Sequence, residues 1–285
     1  MMITLVLSTI SLMIPMSLLT QKGYHSLWVW PILLIAIFFI VNFIITNRQA
    51  THPIVHFHTL FSKKPFVGAT MAISSHLTLL TGIAGINVYI VRILKLPFDI
   101  SLHFYFFFFV GVIITGILKM FFYSSVGAGF LGTLGSSALL YVSIHWIILG
   151  NTINIPLLYI QGLLLGFGAS MTLVSGSMAT LLDGDLKEAA QRSQTMHTIR
   201  NFSAAMLIPI IAYTIKNHIQ KGTQSIYAEN ITDKMIYLKK LQDVAIDADH
   251  QIFLLMIIFN MVMFVSSIIQ MILGKGRRIT PPRES

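Results

Sequence analysis

Apolar residues along this chain come in long unbroken runs rather than in amphipathic stripes. A membrane-crossing helix needs about 20 mostly apolar residues, because the hydrocarbon core is ~30 Å thick and each helical residue rises ~1.5 Å. Eight segments meet that length: 2–19, 28–46, 67–91, 101–122, 126–149, 155–182, 199–215 and 251–273. None alternates apolar and polar with period two, so the pattern does not fit a β-barrel. The first segment has no basic stretch before it and no small-x-small cleavage signal before Lys22, so it reads as a retained helix rather than a signal peptide.

Composition agrees. Of 285 residues, 55% are hydrophobic and 10% charged, and mean hydropathy is +0.79. Soluble domains carry about 25% charged residues, so a water-soluble enzyme is excluded. The absence of cysteine removes disulfides, thiolate metal sites and a cysteine nucleophile. The expectation is an all-α polytopic membrane protein with eight transmembrane helices.

The net charge of +9 resembles a nucleic-acid footprint until the cations are placed. With the even-numbered loops and the C-terminal tail on one side, that side holds Arg48, Lys63, Lys64, Lys119, Lys187, Arg192, Arg200, Lys275, Arg277, Arg278 and Arg283. The short loops opposite hold only Lys22, Arg92 and Lys95. The positive-inside rule then puts both termini in the cytoplasm. The basic character is topological; the partner is the lipid bilayer, not nucleic acid.

The loops divide the chain. Residues 1–50 carry two linker helices, 51–66 a basic cytoplasmic loop, 67–274 a six-helix bundle with an outer loop at 216–250, and 275–285 a basic tail. Segment 183–198 reads as helical, with Asp183 or Asp185 able to cap and Glu188 paired to Arg192 at i,i+4. Segment 230–249 carries Met235, Leu238, Leu241, Ala245 and Ala248 at helical spacing, which predicts a short amphipathic helix on the outer face.

Ionisable residues inside a membrane are costly and mark functional sites. No Asp or Glu falls in the middle of any of the eight segments. His76, His103 and His145 lie in or near three of them, open to a proton-relay reading or to that of a hydrogen-bonded histidine near an interface. His52, His56 and His58 cluster in the basic loop, but no Cys or carboxylate stands near enough to complete a metal site. Asn87, Gln161 and Asn260 either bind substrate or pin neighbouring helices. Arg200 opens the seventh segment, where it anchors at the boundary or gates by pairing with Asp183, Asp185 or Glu188. No metal, no cofactor and no enzymatic constellation is expected. Small residues crowd the fifth segment (Gly127, Gly129, Gly132, Gly135, Ser136) and the sixth (Gly162, Gly166, Gly168, Ser170), the composition of closely approaching backbones.

The order of these pieces resembles the C-terminal part of the fourteen-helix drug:proton antiporters of the major facilitator superfamily, the EmrB- and QacA-like exporters. Residues Thr51-His52-Pro53-Ile54-Val55 through Leu60-Phe61-Ser62-Lys63-Lys64-Pro65-Phe66 resemble that family's basic loop before its ninth helix. Tyr89 through Leu102 resembles the connection that follows it. Gly162 to Leu182, then Glu188 to Ile211 with His197-Thr198-Ile199-Arg200-Asn201, is similar to its twelfth and thirteenth helices. The family's glycine-rich, charged turn between helices ten and eleven is replaced here by Lys119 to Ser125.

The resemblance implies two linker helices plus a six-helix bundle of this superfamily, belonging to an exporter of amphipathic drugs or other small molecules in a bacterial inner membrane. The proton-coupling carboxylate of such transporters lies in their first six helices, so this chain is expected to lack its coupling half and to work with a separately encoded N-terminal half. His76, Asn87, Gln161 and Asn260 are the candidate substrate contacts, Arg200 and Asp183 the gate or anchor. The alternative is a truncated product that does not transport, or a helical partner subunit of a membrane complex.

Overall fold

The computed structural model describes residues 2–23, 26–50, 53–183, 186–229 and 233–275. Among them every regular element is helical: α1 (Met2–Lys22), α2 (Val29–Gln49), the single turn α3 (Phe57–Leu60), α4 (Lys63–Asn87), α5 (Phe98–Trp146), α6 (Ile155–Leu182), α7 (Ala189–Ala228) and α8 (Lys234–Ile272). A π-helical turn, Val88–Ile93, continues α4, and a 3-10 turn, Leu186–Glu188, precedes α7. Six helical stretches are long and apolar enough to cross a membrane: α2, α4 with its π-helical turn, α5, α6, α7 and α8. The chain is a membrane-embedded helical protein.

A straight helix of 49 residues would run about 73 Å, more than twice the hydrocarbon thickness. Gly127 interrupts it with φ 83° and ψ 169°, a backbone conformation that glycine adopts without a Cβ penalty. The two arms meet α6 in opposite senses. In the first arm Thr115 Oγ1 donates to the Phe167 carbonyl (3.0 Å) and Lys119 Nζ to that of Ser170 (2.6 Å), so the arm runs parallel to α6. In the second, Gly135 lies against Gly168, while Trp146 reaches back to Gln161 (2.8 Å), so the arm runs antiparallel. The chain therefore reverses direction at Gly127.

Lipid is as apolar as leucine, so close packing and internal hydrogen bonds must hold such helices together. The glycines supply the close packing. A Cβ on Gly68 of α4 would stand 2.8 Å from the Ala179 Cβ and the Gly176 carbonyl oxygen of α6. Ser75 bonds across the same seam to the Ala169 carbonyl (3.0 Å) and the Thr172 hydroxyl (2.6 Å). The core cluster gathers Met71, Ile86, Tyr89, Phe104, Leu139, Trp146, Leu165, Phe253 and Met256 from α4, both arms of α5, α6 and α8. Helix α7 packs on the side of this group through Leu207 and Ile211 against Leu77 and Ile252. Helices α1 and α2 pair with each other, and α1 lies against α7.

The segment 216–250 differs from the loop read in the sequence. α7 continues to Ala228 and α8 starts at Lys234, capped by Asp233 Oδ1, which accepts from Met235 N at 2.7 Å. The two extensions pack as a hairpin, with Gly222 against Val244. The predicted short helix over 230–249 is the first part of a continuous 39-residue α8, because no Gly or Pro stands between Asp233 and Gly274 to stop it.

Candidate functional site

The residues singled out in the sequence fall into separate places. Gln161 and Asn260 come together. Gln161 Oε1 accepts from Trp146 Nε1 (2.8 Å), and Asn260 Nδ2 donates to Ser143 Oγ (3.0 Å), so α6 and α8 grip the same turn of the second α5 arm. Both amides are essentially inaccessible, and each keeps one atom without a partner, Gln161 Nε2 and Asn260 Oδ1. In this packing they join helices. Their spare donor and acceptor are what a substrate would meet if the bundle opened.

His76 is half-buried on α4 and lies within electrostatic reach of Arg200 on α7. His197 stands one turn before Arg200 and feels the same charge. Arg200 donates weakly from Nη2 to Asn201 Oδ1 (3.5 Å), and its Nε is buried without a partner. Asn87, the last residue of α4, lies within polar reach of the Tyr105 hydroxyl on the first α5 arm. His76 and Arg200 thus mark the α4–α7 seam, and Asn87 the α4–α5 contact.

Asp183 belongs to a polar knot where α6 ends. It is the C-cap residue of α6 and accepts from Gln270 Nε2 of α8 at 2.8 Å. Beside it Arg192 is 1% exposed, donating from Nε to the Thr180 carbonyl (2.9 Å) and from Nη2 to that of Leu181 (2.8 Å). The expected Glu188–Arg192 pair forms, at 3.7 Å. Thr195, a turn further along α7, accepts from the His56 backbone N–H (2.8 Å). Asn47 of α2 orders the loop that follows α2, donating to the Val55 carbonyl (2.7 Å) and accepting from Ile54 N and Val55 N. A cavity of about 370 Å³ opens here between Lys63, Lys64, His58, Asp183, Glu188 and Arg192. His52 and Asp185 lie outside the described residues. Among the described residues no cluster of three His, Cys, Asp or Glu side chains could hold a metal.

Two residues escape a reading by hydropathy. Arg192 sits in a polar stretch that looks solvated, yet its guanidinium satisfies two carbonyls at the α6 terminus, a tertiary cap without a local signature. Asp249 is 1% exposed on α8, and neither carboxylate oxygen has a hydrogen-bond partner. The apolar window begins two residues later, so counting apolar residues leaves it in a loop. The sequence signal that could have found it is the unbroken helical stretch with Asp249 three residues after Ile246 and four before Phe253, on one face.

No protein-family model matches this chain, and comparison with curated proteins returns no match.

Proposed function

We propose that the chain is the C-terminal part of a secondary transporter of the major facilitator type, an exporter of amphipathic drugs or other small molecules. The observation that carries this reading is the arrangement of directions. An α1–α2 hairpin stands beside a bundle in which α4, the two α5 arms, α6, α7 and α8 run alternately, as expected of two linker helices and a six-helix half. Counting α1 and both arms of α5, the reading has eight crossings, with both termini in the cytoplasm of a bacterial cell. Glycine-lined seams between α4, α5 and α6 support it as well, because close smooth contacts suit helices that rock during alternating access.

In the assembled transporter His76, Asn87, Gln161 and Asn260 face substrate once the seams part, and Arg200 and Asp183 act where the bundle closes. Rocking requires a second bundle across a central site. The partner is then an N-terminal half supplied by a longer product or by a separate gene.

The test is the size of the native product, read by blotting a C-terminal tag placed at the chromosomal locus, followed by transport assays in liposomes. A band near twice 31.9 kDa with drug efflux supports the reading. A band at 31.9 kDa that copurifies with no second half and moves no substrate overturns it in favour of a non-transporting membrane protein.

A further inference from the structure

Asp249 is 1% exposed at the end of the bundle where α5 passes into α6. Its neighbours on the same face of α8, Ile246 and Phe253, belong to the main apolar core together with Ile90, Ile93, Trp146 and Leu149. Three polar contacts ring it. Asn151 Nδ2 donates to Asp243 Oδ1 (3.2 Å), His250 Nε2 meets the Leu149 carbonyl (2.8 Å), and the Tyr89 hydroxyl donates to the Gly150 carbonyl. Together they close the connection 147–154 and the π-helical turn Val88–Ile93 over α8. π-Helical turns inside longer helices recur at functional sites. Each contact satisfies its own partners; none reaches Asp249, whose two oxygens are left with no donor.

A charged carboxylate sealed in that way is untenable, since an isolated ion in an apolar setting costs far more than any contact around it returns. The surrounding titratable groups do not relieve it. Tyr89 is in electrostatic contact with it across the seam but brings no positive charge. On α8 itself His250 is bound to the Leu149 carbonyl, and Asp247 is exposed. Arg92 of the π-helical turn is exposed, and His145 of α5 stacks on exposed Tyr141. On α7, His218 meets the Thr214 carbonyl, Lys216 the Gln21 carbonyl, and Lys221 is exposed.

We propose that Asp249 is a proton-binding site: it holds a proton while the connection 147–154 and the π-helical turn are closed over α8, and loses it to water only when that end of the bundle opens. Proton release and opening are then one event, with the proton passing from the carboxyl to entering water and the three ring contacts breaking. The inference deepens the transporter reading, on which its use in a transport cycle rests. The titration itself is measured without transport.

The chain has no cysteine, so single thiols report cleanly. Ile246→Cys places one in the sealed face and Met235→Cys an exposed reference; the two native positions are 5% and 75% exposed. Maleimide labelling of the full chain in detergent is followed from pH 6 to pH 9, each rate at position 246 divided by that at 235. The ratio rises about tenfold or more with Asp249 and stays within about twofold in Asp249→Asn, since each pH unit changes an ionised fraction by up to tenfold. A flat ratio with Asp249 present, or an equal rise in the Asn variant, overturns the proposal. Should the Asn variant fail to fold, infrared spectra of the unmodified chain decide. They show the carbonyl band of a protonated carboxylic acid that vanishes on raising the pH and is absent from Asp249→Leu, or they show none and the proposal falls. Liposomes holding the chain together with its N-terminal half that move no drug, while the labelling ratio still rises, would refute the transporter reading alone.

Discussion

The Nε–H of Arg192 donates to the carbonyl oxygen of Thr180 at 2.9 Å, so the first turn of α7 closes the last turn of α6. The last four carbonyls of a helix have no partner within it. Arg192 supplies two donors to that terminus, the second reaching Leu181, and its own charge is balanced by Glu188 at 3.7 Å. Hydrogen bonds to a charged group are worth ~1.5–3 kcal/mol each, and removing the buried partner takes both donors from the two carbonyls. Arg192→Ala is expected to lower stability by ~2–4 kcal/mol. Arg192→Lys recovers only part, because one ammonium cannot reproduce the fork of Nε and Nη2. Thermal loss of the monodisperse peak in detergent reads both. Equal melting of Lys and Arg forms would mean that charge, not the two-carbonyl geometry, matters here.

The glycines of the α5–α6 seam separate packing from propensity. A Cβ on Gly166 would run into the carbonyl of Phe108, and one on Gly111 into that of Leu163. On Gly116, one turn and a half along the same arm, a Cβ meets nothing within 4 Å. Gly→Ala in a helix gains up to ~1 kcal/mol of intrinsic propensity. Gly116→Ala is therefore expected to be neutral or stabilising. Gly166→Ala forces two backbones apart and is expected to cost ~2 kcal/mol or more, within the range of overpacked cores. Comparing melting temperatures of the two variants decides it; similar values would mean that the seam is not tightly packed.

Asn260 and Ser143 make a direct test of what a buried amide does in this bundle. Their 3.0 Å bond links α8 to the second α5 arm. Interhelical hydrogen bonds in membrane bundles average ~0.6 kcal/mol and reach ~1.7. A double-mutant cycle with Asn260→Ala and Ser143→Ala is expected to give a coupling in that range. Under the proposed transporter reading, Asn260→Ala is expected to raise the drug concentration for half-maximal efflux, whereas Ser143→Ala, with the same bond removed, leaves it unchanged. Identical transport in the two variants would assign Asn260 to helix joining alone.

Hydropathy revealed the apolar helices because membrane spans are set by a length and a composition, both printed directly in residues such as 155–182. It lost the continuation of α7 and α8, where apolarity stops but nothing breaks the helix, and with it the placement of Asp249. Gln161 and Asn260 were legible as polar residues in spans. That they meet the same α5 turn was not, because Trp146 and Ser143 are chosen by packing across three segments rather than by spacing within one. Arg192 shows the same limit: its i,i+4 partner Glu188 is local and readable, its carbonyl partners on α6 are tertiary.

Asn47 governs the basic loop before α4. Its side chain is 2% exposed and makes three bonds to residues seven and eight positions on: Nδ2 to the Val55 carbonyl at 2.7 Å, and Oδ1 from Ile54 N at 3.0 Å and Val55 N at 3.1 Å. Those bonds hold the segment from which the His56 N–H reaches Thr195 on α7. Asn47→Asp keeps the acceptor for both backbone donors and loses the donor to Val55, leaving that buried carbonyl unsatisfied at a cost of ~1–3 kcal/mol. Asn47→Ala loses all three bonds. Local release of a loop exposes its backbone to protease before the rest of the protein unfolds. Brief trypsin treatment in detergent is therefore expected to cut after Lys63 fastest in the Ala variant, more slowly in Asp, and slowest in the parent chain; Lys64 is protected by the Pro65 that follows it. A Thr195→Val variant, which removes only the α7 acceptor, is expected to fall between the parent and Asn47→Ala. If Thr195→Val cuts as fast as Asn47→Ala, then the tie to α7 rather than the Asn47 bracket holds the loop in place.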